Sequence, residues 1–258
     1  MISSIWQWLT APGNWSGSGG IADRLLEHLT ISAIVLVVAA LIAIPLGLWI
    51  GHSGRGRSLV TVANAARAVP TLGLLFALAL WLGPKLSGDL AFSLPSIIVL
   101  VLLAVPPMLA GTYAGVEAVD PAARDAARGM GMRPGQVLRQ VEFPCALPLL
   151  LSGVRAATLQ VIATATIAAY VGMGGLGRFL IDGLATADYP ETAGGALLVS
   201  LLALLIDLLL AAATRLVVSP GLDGRADAAR SRGRIGSRGK FGRAPRVDAA
   251  SDPLTTAS

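Results

Sequence analysis

The chain has 258 residues, of which 54% are hydrophobic and only 14% charged, with a formal net charge of +5 and a mean hydropathy of +0.71. A soluble globular domain of this length is not so apolar, so the chain belongs in a bilayer. The lone cysteine, Cys145, excludes an intrachain disulfide framework and reads as a small packing residue at a helix start.

Residues 1–20 carry no basic side chain and no long apolar run, so they do not read as a secretory signal peptide. They are expected as an external N-terminal segment whose Trp6, Trp8 and Trp15 suit a membrane-interface belt. Five apolar stretches come next, at 29–50, 62–82, 94–116, 146–170 and 192–217. Each is close to the roughly 20 residues that cross a bilayer as a helix. The predicted fold class is therefore an all-α polytopic membrane protein with a transmembrane domain over 21–220 and a polar insert at 117–145. Beyond it, residues 221–258 turn to Arg, Gly, Ala and Ser, too poor in large apolar side chains to fold, and are expected as a disordered basic tail. Such a tail helps set topology, or adheres weakly to anionic lipid.

Positive charge is distributed unevenly between the two faces. Arg55 and Arg57, then Arg124, Arg128, Arg133 and Arg139, and finally the tail from Arg225 to Arg246 all fall on one side of five spans. The other side holds Arg24, Lys85 and Arg178. The positive-inside rule then puts the N-terminus outside and both the insert and the C-terminus in the cytoplasm.

Within the insert, Asp120 followed by Pro121 reads as an Asx N-cap with proline at the first helical position. A helix is expected over 122–130, ended by Gly131 in a left-handed conformation, and a second from Pro134 to about residue 142. The small Ala126 and Ala127 permit close approach to another surface, while Arg124, Asp125, Arg128 and Arg133 offer charge contacts. Asp125-Ala126-Ala127, three residues, Gly131, nine residues, then Val141-x-Phe143-Pro144 resembles the EAA loop of ATP-binding cassette (ABC) importer permeases. That family pattern is Glu-Ala-Ala, three residues, Gly, nine residues, Ile-x-Leu-Pro, so Asp125, Val141 and Phe143 depart conservatively. The resemblance implies that Arg124, Asp125, Ala126, Ala127, Gly131, Val141, Phe143 and Pro144 form a coupling element that docks on a separate ATPase.

Gly172, Gly174 and Gly177 satisfy G-x-G-x-x-G, but a dinucleotide site needs a preceding strand, and these glycines come after a membrane helix. Together with Gly175 they are expected to allow tight turns where the chain leaves its fourth span. The run 168–184 also resembles the external segment of glycine betaine, choline and proline betaine permeases. No Walker A pattern occurs, since the Gly239-Lys240 pair is followed by Phe241. His28 and His52 lie at opposite ends of the first span and read as solvated or interfacial, so no metal site is expected. No grouping of catalytic residue types supports an enzyme.

Ionisable side chains inside spans usually face the bundle interior. Arg67 with Asn64 opens the second span, and Arg155 and Asp207 lie at matching depth in the fourth and fifth, which makes them plausible partners. Pro45, Pro70, Pro106 and Pro107 add kinks, fixed or moving.

Residues 21–220 resemble osmoprotectant (quaternary-amine) importer permeases. The resemblance implies a multi-pass protein of the bacterial inner or cytoplasmic membrane, pairing with a second identical or homologous permease, an ABC ATPase and an external substrate-binding protein. It implies no cofactor and no nucleic acid, and alternating access driven by closure of the ATPases. The alternatives are a permease of the same architecture for another solute such as methionine and, more distantly, a passive channel or membrane scaffold; a channel or scaffold needs no ATPase-docking insert.

Overall fold

The computed structural model describes residues 2–218, all of its regular elements helical. The basic tail expected over 221–258 lies outside the described residues. Helix α1, Ile2–Thr10, is amphipathic and is followed by a 3-10 turn at Pro12–Asn14. Its Trp8 meets Phe179 edge-on at 5.2 Å between centroids and packs over Gly194. Of the three tryptophans expected at an interface, Trp6 and Trp15 are exposed, but Trp8 is turned against the protein.

Helix α2, Ile21–Ser53, is 33 residues long, about 50 Å at 1.5 Å per residue. It exceeds the expected 29–50 at both ends and overruns the roughly 30 Å of hydrocarbon that a span must cross. The second span expected at 62–82, with a kink at Pro70, is a bent pair of helices, α3 at Arg57–Ala66 and α4 at Thr71–Leu82, turned by 89° at the break. The cause is Pro70, which lacks an N–H and disfavours helical backbone at the residue before it. Val69 accordingly turns back onto Ala66 O, and Pro70 becomes the N-cap of α4.

Helix α5, Leu90–Glu117, keeps Pro95, Pro106 and Pro107 inside it. The insert comes next, as α6 at Pro121–Gly129 and the single turn α7 at Pro134–Val137. A π-turn over Leu138–Glu142 then joins α7 to α8, Phe143–Thr164, and a 3-10 segment extends to Val171. Helix α9 is Gly177–Ala185 and α10 is Tyr189–Val217. Four stretches are long and apolar enough to cross a membrane, or up to five if the bent α3–α4 pair is one span.

The helical stretch Pro134–Val171 has no break at Pro144, so the second insert helix is not separate from the fourth span. Pro144 comes two residues after the π-turn ends at Glu142, where the ordinary helical bonding is already interrupted, so the donor that proline lacks is missed least. Cys145, in the same turn, is exposed rather than packed.

Helix α5 is the axis of the bundle, packed along α2 on one side and α8 on the other. Lipid tails are as apolar as the helices, so association rests on close van der Waals fit, which small residues permit. The shared core is built on Ala39 and Ala43 of α2, Ala104 and Met108 of α5, and Ala157 of α8. A methyl group at Gly47 would lie 2.7 Å from Thr112, at Gly111 2.7 Å from Leu149 O, and at Gly153 2.6 Å from Pro107 O. Backbone therefore meets backbone where α5 crosses α8.

Candidate functional site

The insert is assembled by local chemistry. Asp120 Oδ1 accepts from Ala122 N at 2.9 Å, with Pro121 at the first helical position. After α6, Gly131 takes φ +83°, and its N–H and that of Met132 return to Arg128 O and Ala127 O. The left-handed backbone is what requires glycine here, because nothing crowds its Cα. Arg133 N then donates to Gln136 Oε1 at 2.8 Å to open α7.

This geometry divides the expected coupling residues between two faces. Asp125, Ala126, Arg128, Gly131 and Arg133 are exposed, and Met130 stands out at the tip, 73% exposed. Ala127 is buried and Arg124 turns inward, so neither offers an outer surface as expected. They are three residues apart and so share the helix face that packs on the chain's own bundle. Val141 and Pro144 are half-buried and Phe143 exposed, all within helix rather than closing a loop.

Under the insert lies Glu142, a carboxylate 1% exposed at the end of the π-turn. Its Oε2 is 2.6 Å from His52 Nδ1, in the last turn of α2. Its Oε1 is 3.0 Å from Arg124 Nε, whose N–H is not aimed at it, so that contact is electrostatic rather than a hydrogen bond. The Arg124 guanidinium also donates through Nη2 to Val116 O near the end of α5. Beside this cluster, Arg57 of α3 pairs with Glu117 of α5 at 3.0 Å.

The opposite end of the bundle carries a second cluster. Glu27 Oε2 accepts from Gly175 N at 2.7 Å and pairs with Arg24 Nη1 at 2.9 Å. His28 is 1% exposed, with Nε2 3.0 Å from Ile162 O; a carbonyl only accepts, so Nε2 carries the proton. His28 is buried rather than solvated or interfacial as expected, while His52 stays partly exposed at the end of α2; each is held by a partner far away in sequence. Among the expected glycines, Gly172 and Gly175 take left-handed backbone, whereas Gly174 and Gly177 supply room. A methyl at Gly174 would overlap the Glu27 carboxylate, and one at Gly177 would lie 2.7 Å from Thr166 Cα. A cavity of about 600 Å³ opens beside them, lined by Arg24, Glu27, Asp89, Phe92, Gly172 and Gly174.

Between the two ends, Arg155 of α8 and Asp207 of α10 form a bidentate pair, Nε to Oδ1 at 2.5 Å and Nη2 to Oδ2 at 2.6 Å. The planar guanidinium matches the carboxylate in two parallel bonds, the strongest form of such a contact. Arg67 lies apart from them at the α3–α4 bend, its Nη2 donating to Gln160 Oε1 at 3.2 Å. Among the described residues, no group of three or more His, Cys, Asp or Glu side chains could hold a metal ion.

Residues 43–219, which include the insert, both glycine crossings and the Arg155–Asp207 pair, match the family described as the binding-protein-dependent transport system inner membrane component. The chain belongs to that family. It is the permease subunit of an ABC importer, a multi-pass inner-membrane component that works with a binding protein. It is 32% identical over 80% of its length to the choline transport system permease protein OpuBB of Bacillus subtilis (strain 168), covering 93% of that protein. A second relative in the same organism, the glycine betaine/carnitine/choline transport system permease protein OpuCB, is 32% identical over 81% of this chain and 94% of its own. Among solved structures, the inward-facing MetNI methionine ABC transporter superposes with a TM-score of 0.66 at 21% identity, over 77% of this chain and 96% of that one. At that identity the likeness is one of fold.

Sequence reasoning did not single out Glu142, Glu27 or Gln160 in this permease. Their long-range partners are 90, 148 and 93 residues away, and the local pair of Glu27 with Arg24 gives no hint of them. The glycine crossings were not singled out either, although Gly47-x-x-x-Gly51 and Gly111-x-x-x-Gly115 place small residues one turn apart in apolar helices.

Proposed function

We propose that this permease imports quaternary-amine osmoprotectants such as choline and glycine betaine. The observation that carries this is the 32% identity, across 80% of this chain and 93% of the other, to a permease named for choline. A further permease, the osmoprotectant import permease protein OsmW of Salmonella typhimurium, is 32% identical over 75% of this chain. The cavity edged by Phe92, Glu27 and Asp89 is chemically compatible with a trimethylammonium group, which an aromatic face and carboxylates attract.

In this reading the insert face is cytoplasmic, which the placement of basic residues across five spans supports, and the glycine-segment face receives solute from the binding protein. The exposed side of α6, with Asp125, Ala126, Arg128 and Met130, docks on the ATPase. A second permease, identical or homologous, completes the pathway. The chain itself does not hydrolyse ATP.

The test is reconstitution of the permease with its ATPase and binding protein in liposomes, measuring uptake of labelled choline, glycine betaine and methionine with and without ATP. ATP-dependent uptake of the two quaternary amines is expected. Uptake of methionine in their place would favour the other solute class, and uptake that persists without ATP would favour a channel.

A further inference from the structure

We propose that Glu142 is the positioning residue through which a displacement of the insert reaches the membrane bundle. The inference rests on the proposal that an ATPase docks on the exposed side of α6. A carboxylate with 1% exposure is retained only where opposite charge and hydrogen bonds compensate its lost hydration. The two groups that do so come from different elements, His52 from the end of α2 and Arg124 from α6. Arg124 is in turn bonded to Val116 O of α5.

The remaining ion pairs on this face do not link the insert to another helix. Arg128 pairs with Asp125 within α6 itself, and Arg57 with Glu117 joins α3 to α5. Among the described residues, the side-chain pairs that join the insert to the bundle therefore run through one carboxylate, beside the direct bond from Arg124 to Val116 O. Its place in the chain suits that role. Glu142 ends the π-turn between α7 and α8, and such a turn is a weak point where a small change of winding redirects the helix beyond it. A push on α6 carries Arg124 with it, Arg124 carries Glu142, and Glu142 carries the end of α2. Helix α2 reaches from there to the cavity edged by Glu27 and Thr30.

The experiment uses the assembled transporter with Cys145→Ser and a reporter, Thr30→Cys, on the cavity wall. The readouts are ATPase co-purified per permease and the rate at which a water-soluble maleimide labels the reporter, with and without ATP and vanadate. With Glu142 intact, nucleotide trapping should change the labelling rate. Glu142→Gln should shrink that change by about tenfold, an ordinary size for coupling between sites, while the ATPase still co-purifies. His52→Gln, which leaves Arg124 against the carboxylate, is the milder variant and should shrink it less. It decides the matter if Glu142→Gln fails to accumulate.

Nucleotide-dependent labelling at the parent level in both variants, or in His52→Gln alone should Glu142→Gln not accumulate, would overturn the proposal. So would loss of ATPase from Glu142→Gln, which would make the residue part of docking, or a parent whose labelling ignores nucleotide. A parent transporter that retains no ATPase would instead refute the docking proposal beneath it.

Discussion

The two ends of α2 are fastened to the rest of the chain by different kinds of bond. At one end Glu27 accepts a backbone N–H from Gly175, and His28 donates to the backbone carbonyl of Ile162. At the other, His52 meets the side chain of Glu142, itself beside Arg124. A tie to backbone is indifferent to the partner's side chain but demands that the backbone come close. A tie between side chains tolerates backbone adjustment but depends on both of them. The glycine-segment end should therefore be sensitive to added volume, and the insert end to lost charge.

The largest effect expected on the volume side is at Gly177. Gly177→Val would drive side-chain atoms into the backbone of Thr166, whose Cα lies 2.7 Å from an added methyl. Overpacking of this kind costs on the order of 1–3 kcal/mol or more, and here neither neighbour is a flexible side chain that can yield. Loss of folded protein, read by size-exclusion of detergent extracts, is the expected outcome; normal accumulation would show that the segment is not fixed by close packing.

Next comes the pair in the middle of the bundle. Neutralising Arg155 or Asp207 alone leaves one charge facing hydrocarbon, whereas neutralising both removes the problem. Each single variant should accumulate less than the double variant. Additive losses through the double-mutant cycle would show that the two act independently.

The smallest effect should come from Glu27→Gln. The amide keeps an oxygen that can accept from Gly175 N, and what is lost is a partly exposed pair with Arg24, a type of interaction that contributes little. Thermal stability near that of the parent is expected. A defect as deep as that of Glu142→Gln would erase the distinction between the two ends.

Features with a local or periodic cause are the ones that can be read from the sequence. The Asp120-Pro121 start of α6 and the left-handed Gly131 depend on residues within one turn of each other, and both are present in the fold. The approach of Arg155 to Asp207 is legible by counting depth along two apolar helices. Position 70 shows the limit of that counting: hydropathy alone joins 62–82 into one span, while the proline splits it at 89°. At Pro144 the error runs the other way, since a residue that often closes a segment here sits in the first turn of α8. Trp8 misleads because its amphipathic ring suits an interface equally well whether the apolar side meets lipid or Phe179. For Glu142, periodicity gives a face but not the partner across it.

The contact of α5 with α2 and α8 through glycine backbone has a consequence for how such a protein can be altered. Gly111 and Gly153 each occupy the space the other's side chain would need, and Gly47 stands in the same relation to Thr112. No one of these positions can gain an atom unless its counterpart on the next helix retreats. The heritable unit is therefore the trio and not the single helix: a chimera that takes α5 from a relative must take the facing surfaces of α2 and α8 with it.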